Sequence, residues 1–147
     1  ELKYYGPDPE LVPATLAVLN EYELLEESEL MSLDRSALRQ LREKAPKARI
    51  GFLSAVALGR LAQLDVDFLA VSKGAATTSL AAATADRGME LCVWTLNDRK
   101  SISAAIDLGA EGIITDDVPL YFDVLRVRRE MSELERLLLR FVGRARR

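Results

Sequence analysis

The stretch RIGFLSAVALGRLAQLDVDFLAVSKG, Arg49 to Gly74, decides the fold. It opens on a short run dense in Ile, Leu and Phe (RIGFL, Arg49 to Leu53), passes through SAVALGRLAQL, and returns to a second such run (DFLAV, Asp67 to Val71). Short, nearly continuous apolar runs read as strands buried on both faces, and the segment between them reads as helical. Strand, helix and strand in that order make a βαβ unit, whose strands lie parallel.

The alternation extends in both directions. Upstream, ELKY (Glu1 to Tyr4) reads as a strand, followed by the turn GPDP and a helix from about Pro9 to Glu26. Asp8 is placed to accept a bond from an early helix N–H and Pro9 suits a first helical position. Pro13 has no donor for a second turn, so the regular helix starts at either Pro9 or Pro13. ELMSL (Glu29 to Leu33) is a strand, and Asp34 caps a helix that runs to about Ala45 before Pro46 stops it. Downstream, Thr77 or Thr78 caps SLAAATADR, which Gly88 ends. ELCVW (Glu90 to Trp94) is a strand; Asn97 and Asp98 cap SISAAIDL, with Gly109 as its stop. GIIT (Gly112 to Thr115) is the last strand, and Asp116, Asp117 and Pro119 lead into a final helix.

Six strand-like runs alternating with helices give an α/β chain with a parallel sheet covered by helices. An open doubly wound sheet and a closed barrel both fit. The absence of G-x-G-x-x-G and G-K-[ST] loops counts against a nucleotide or dinucleotide fold. A closed (β/α) barrel needs eight strands and ~250 residues. The expectation is therefore a partial TIM-type (β/α) barrel with about six of the eight strands, the N-terminal strands missing. The chain opens inside a strand-like run without an initiator Met, which agrees with that expectation. Residues 1–122 form the barrel part and 123–147 a basic amphipathic C-terminal helix.

Composition narrows the function classes. Hydrophobic residues make up 49% and charged residues 29% of the 147, the balance of a folded domain. No apolar run reaches the ~18 residues of a membrane span. Cys92 is alone, which excludes an intrachain disulfide and a cysteine metal cluster; within LCVW it reads as a buried, inert thiol. A lone Cys permits either side of a membrane. There is no histidine, so no mechanism with a His general acid or base is complete on this chain. The net charge of −3 is unevenly spread: Asp123 to Arg147 carry eight Arg against four acids. Within that tail Leu134, Leu137, Leu138, Phe141 and Val142 fall on one helical stripe and Arg136, Arg140 and Arg144 on another. The tail is either a helix packed on the barrel or a basic amphipathic element near anionic lipid. Nothing suggests a nucleic-acid surface, a Ser-His-Asp set or a zinc site.

Candidate chemistry sits at strand ends. Alternation puts Glu1 and Lys3 on one face and Leu2 on the other. In a helix-covered barrel Leu2 faces the helices, so Glu1 and Lys3 point inward, near the mouth where barrel active sites lie. A carboxylate suits a hard divalent cation and an ammonium suits a phosphate oxygen. The competing view is a solvated chain end with a surface ion pair. Trp94 at the end of its strand either walls a substrate pocket or is a core residue. Ser32, Ser72 and Lys73 also fall at strand ends, where hydroxyls either hold substrate oxygens or cap loops. Asp116 and Asp117 suit helix capping better than a metal.

The strings ELKYYG, SLD before a helix ending at Pro46, VWTLND and GAEGIITDDVPL, in this order and spacing, resemble the glycerophosphodiester phosphodiesterases over roughly residues 1 to 122. The tail with MSELERLLLRF is similar to the ends of bacterial members that carry an N-terminal membrane region. The resemblance implies a TIM-type barrel and metal-dependent hydrolysis of a glycerophosphodiester to glycerol 3-phosphate and an alcohol. It makes Glu1 a ligand of a divalent metal, Ca or Mg, Lys3 a catalytic contact to the phosphate, and Trp94 a wall of the substrate pocket. Ser32 and Ser72 join Trp94 as candidate substrate-binding residues. The family's paired His acid and base and two further acidic metal ligands have no counterpart here. The chain alone is thus expected to bind the metal weakly and to be inactive, needing the missing N-terminal part or associating with itself. The alternatives are a non-catalytic barrel-like binding or assembly module and an unrelated α/β phosphate-binding domain.

Overall fold

The strands cross a single parallel sheet in the order in which they occur along the chain. The structure, a computed structural model, describes residues 1–56 and 61–131. Its elements are α1 (Leu11–Glu21), β1 (Glu29–Ser32), α2 (Arg35–Lys44), β2 (Arg49–Ser54), β3 (Phe68–Ser72), α3 (Thr78–Ala85), β4 (Glu90–Trp94), α4 (Arg99–Leu108), β5 (Gly112–Ile113) and α5 (Val118–Glu130). The sheet order is β1-β2-β3-β4-β5, every pair parallel.

That order settles the choice the alternation left open. A doubly wound sheet reverses its strand order part-way and so carries helices on both faces. Here each strand lies beside its predecessor, and right-handed crossovers then put the helices on one side. The packing agrees. Leu30, Ile50, Phe52, Leu69, Val71, Leu91 and Val93 form one buried cluster with Leu16, Leu38, Leu41, Ile102 and Val124 from the helices. The intervening strand positions form a second, smaller cluster of Leu53, Phe68 and Ala70, flanked by Met31, Cys92, Trp94 and Ile114, which contains no residue of the helices. One face is an outer, helix-covered wall; the other is the inner face of a partial TIM-type barrel. Register keeps the faces apart: Leu30 pairs with Ile50, Phe52 with Leu69, and Leu69 with Leu91.

Local chemistry sets the boundaries. Asp34 accepts hydrogen bonds from Ser36 N (2.6 Å) and Ala37 N (3.0 Å) and starts α2. Thr77 caps α3 through Leu80 N, and Asp117 caps α5 through Leu120 N. Gly109 ends α4 at φ 92°, a left-handed conformation that glycine adopts without a Cβ clash. Gly51 has a different reason to be glycine. A Cβ there would lie 2.1 Å from the Phe68 ring, which crosses the inner face above it.

Several boundaries differ from the sequence expectation. ELKY forms no extended strand: Leu2 makes one parallel bridge to Ser32, so five strands and a bridge replace six strands. The next residues turn away at once into Gly6 and Pro7, which leaves no length for a ladder. The first helix begins at Leu11 and ends at Glu21, and Leu25–Glu27 form a separate 3₁₀ turn. Its first i to i−4 bond runs from Ala14 N to Glu10 O. Pro13 lies just ahead of that bond, among the N–H groups a helix leaves unpaired. β2 runs on to Ser54, and of the expected helix SAVALGRLAQL only a 3₁₀ turn at Leu61–Gln63 falls within the described residues. GIIT pairs only through Gly112 and Ile113. α5 spans Val118–Glu130, and the stripe from Leu134 to Val142 on which the expected 123–147 helix rests lies outside the described residues.

Candidate functional site

The C-terminal ends of the strands carry nearly all the polar side chains singled out by sequence. At the first of them, Leu2 is 5% exposed and joins the helix-side core, while its N–H donates to Met31 O at 2.8 Å. Burial of Leu2 fixes the parity of its neighbours: Glu1 and Lys3 emerge on the inner side of the sheet. Lys3 Nζ lies 3.4 Å from Glu1 Oε2, with the lysine side chain 57% and the glutamate side chain 27% exposed. The pair lines an open cavity of about 360 Å³ together with Tyr4, Ser32, Leu33 and Asp34. Burial first, then the charges of Asp34 and Asp8, raise the Tyr4 phenol, which stays a protonated donor at neutral pH. Sequence reasoning passed over Tyr4; its only signal was its place next to Lys3.

Ser32 lines that cavity but its hydroxyl is already committed. It is 1% exposed, donates to Leu2 O at 2.8 Å and accepts from Asp34 N at 3.0 Å. It ties the segment carrying Glu1 and Lys3 to β1 and to the start of α2. Ser72, opposite Trp94 in the β3–β4 register, donates to Ala55 O at 2.6 Å. Trp94 stands on the inner face with its indole N–H donating to Ala70 O at 2.9 Å, and it packs against the cluster of Leu53, Phe68 and Ala70, as Met31, Cys92 and Ile114 also do. Lys73 lies 3.9 Å from Asp98, whose carboxyl caps α4. The Ser101 hydroxyl, then the Ser101 N–H and the Lys73 charge, hold the Asp98 carboxyl below its ordinary value.

Asn97, expected to help cap α4, does not. It reaches sideways to the end of β5, where its amide meets Thr115 and Asp116. At the other end of the inner face Arg49 bridges Glu29 (2.9 Å) and Glu90 (3.0 Å), a cluster that sequence reasoning also passed over. Its signal was a charge opening each of three otherwise apolar strands. Cys92 is half-buried above this cluster. Burial, followed by the charges of Glu29, Glu90 and Glu111, pushes its thiol up to about 11, so it stays protonated at neutral pH.

Among the described residues no three His, Cys, Asp or Glu side chains form a group that could hold a metal. Glu1 is a single carboxylate already facing an ammonium. Ca and Mg are held by several oxygen ligands, so this donor set does not fit a tightly bound ion by itself.

Residues 5–120, most of the chain, match the model of the glycerophosphoryl diester phosphodiesterase family. The chain belongs to this family. Solved structures carry the same fold. A candidate glycerophosphoryl diester phosphodiesterase from Silicibacter pomeroyi superposes with a TM-score of 0.74 at 21% identity, over 84% of this chain and 48% of that one. A glycerophosphodiester phosphodiesterase from Parabacteroides distasonis gives 0.73 at 21%, over 85% and 56%. A phosphodiesterase from Oleispira antarctica, solved with the product sn-glycerol-3-phosphate, gives 0.72 at 17%, over 80% and 49%. This chain spans about half the length of the solved structures it matches. No curated protein matches it significantly. The inner and outer faces of the sheet agree with the partial TIM-type barrel that these superpositions show. Among the described residues no helix is long and apolar enough to cross a membrane.

Proposed function

We propose that this chain is the C-terminal part of a metal-dependent glycerophosphodiester phosphodiesterase, which converts a glycerophosphodiester and water to glycerol 3-phosphate and an alcohol. One observation carries the reading: in a chain of this family, a carboxylate and an ammonium 3.4 Å apart emerge on the inner side of the sheet at the mouth, beside a buried Leu2. Lys3 is the catalytic residue of the set; its ammonium meets a phosphate oxygen and balances the charge that grows there as the P–O bond breaks. Glu1 would supply one carboxylate to a divalent-metal site, Ca or Mg, whose other ligands this chain does not bring; an ion held there would supply Lewis-acid polarisation of the phosphate. Trp94 walls the pocket. Ser72 borders it, and Ser32 contributes by holding the Glu1–Lys3 segment against β1. The product bound in the Oleispira antarctica structure is the kind of ligand the Lys3 cavity would receive.

The remaining metal ligands and the acid and base belong to residues outside this sequence, since the chain has no histidine and, among the described residues, no group of three His, Cys, Asp or Glu side chains could hold a metal. The chain alone therefore does not turn over substrate, and its open inner face pairs with the complementary part of the barrel or with a second copy. The experiment is hydrolysis of glycerophosphocholine by the 147-residue chain with Ca or Mg, by itself and mixed with the complementary part of the barrel. Turnover is expected only in the mixture and is lost with Lys3→Ala. Turnover by the chain alone overturns the division of labour. An inactive mixture favours the alternative, a non-catalytic binding or assembly module.

A further inference from the structure

Asn97 is exposed, yet both polar atoms of its amide are engaged. Its Nδ2 donates to Asp116 Oδ2 at 2.7 Å, while its Oδ1 accepts from Asp116 N at 2.9 Å and from Thr115 Oγ1 at 3.0 Å. The orientation of the amide is forced, because the backbone N–H of Asp116 needs an acceptor and its carboxylate needs a donor. The backbone one residue earlier repeats the link: Leu96 N donates to Ile114 O at 3.0 Å. Together these bonds fasten the connection after β4 to the connection after β5, although β5 itself pairs with β4 through only two residues. Thr115 passes the constraint on, since its hydroxyl accepts from the N–H of Asp117, the cap of α5.

The fastened segment also runs beside Trp94. The indole N–H donates to the Ala70 carbonyl. Ile114, the residue directly before the bracketed Thr115 and Asp116, follows the Val93–Ile113 pair in register and is bonded on either side of Trp94, its N–H to Val93 O and its carbonyl to Leu96 N, both at 3.0 Å. Both Trp94 and Ile114 pack against the same inner-face cluster. We infer that Asn97 is a positioning residue, whose amide locks the ends of β4 and β5 together and so sets the pose of the Trp94 ring at the mouth. The consequence for substrate binding rests on the reading of Trp94 as a pocket wall; the bracket itself does not.

Trp94 is the only tryptophan, so its fluorescence reports on this one place. In the 147-residue chain, Asn97→Ala is expected to shift Trp94 emission to longer wavelength and increase its quenching by acrylamide, with the far-ultraviolet circular dichroism unchanged. Asn97→Asp puts two carboxylates face to face and is expected to do the same. Adding Asp116→Asn to Asn97→Asp restores one amide and one carboxylate in reversed order, and is expected to return emission and quenching to those of the unmodified chain. A folded Asn97→Ala chain with unchanged Trp94 overturns the inference, as does a double variant that keeps the shift of Asn97→Asp. If Asn97→Ala does not fold, the isosteric pair decides alone. A titration with glycerol 3-phosphate of the chain assembled with the complementary part of the barrel, compared with the same assembly carrying Trp94→Phe, tests the pocket reading separately. A saturable change in emission that the Trp94→Phe assembly lacks is expected; none removes the pocket role and leaves the bracket standing.

Discussion

The two faces of the sheet are built from the same strands but reach very different states of completion. On the outer face Ile50, Leu69 and Leu91 meet Leu41 and Ile102 from the helices and are essentially dry. On the inner face the buried positions among the described strand residues are Gly51, Leu53, Phe68 and Ala70; the lower end carries Arg49 between Glu29 and Glu90, and the upper end carries Glu1 and Lys3. The outer face supplies the stability. The inner face keeps its charges half in water because the described chain gives them few other partners. A finished wall and an open one therefore coexist among the described residues, and the open one carries the proposed site residues.

The sharpest way to break this comparison is a pair of matched truncations. Leu69→Ala on the outer face should cost toward the upper end of the ~2–5 kcal/mol typical of buried leucines, and Leu53→Ala on the inner face toward the lower end, read as midpoints of urea unfolding. Equal losses would mean that the inner face is a second complete core. Next in size is Gly51→Val, which drives a side chain into the Phe68 ring; a loss of ~1–3 kcal/mol is expected by the same measurement. Asp34→Ala removes the cap of α2 and should cost ~0.5–2 kcal/mol. If it also alters binding at the mouth, the Ser32–Asp34 link to the Glu1–Lys3 segment is sharpened. Arg49→Gln breaks two half-exposed ion pairs and should cost under ~1 kcal/mol, less in high salt.

The smallest expected effect is on pH dependence. The Asp98 carboxyl is held below its ordinary value of 3.8, chiefly by the Ser101 hydroxyl. Its contribution to stability is therefore complete above about that pH and is lost as pH falls through the lower folded-state value. Asp98→Asn should flatten the acid limb of the stability profile there, while stability relative to the unmodified chain falls at neutral pH. An unchanged acid limb would show that the cap and its Ser101 bonds do not differ between folded and unfolded chains.

Most of the elements were legible because their signals are local. Asp34, Thr77 and Asp117 cap where a short oxygen-bearing side chain precedes a helix, and Gly109 stops one where a left-handed residue is needed. The misses come from competition beyond the local window. Pro13 lies in a first turn rather than starting the helix, since that turn needs no donor from it. Asn97 looked like a cap, but Asp98 took that place and left its amide for the neighbouring loop. Ser32 looked like a substrate hydroxyl, but burial against Leu2 gave it backbone partners first.

The sequence by itself determined that the strands are parallel, which residues alternate between faces, and that Glu1 and Lys3 fall together opposite Leu2. These follow from covalent periodicity and nearest-neighbour chemistry. Only the tertiary structure decided that the strands keep sequential order with one helix-covered face, that Asn97 braces β5 rather than α4, and that Arg49 spans Glu29 and Glu90. Those depend on which strand ends meet across the sheet, a matter of packing between residues far apart in the chain.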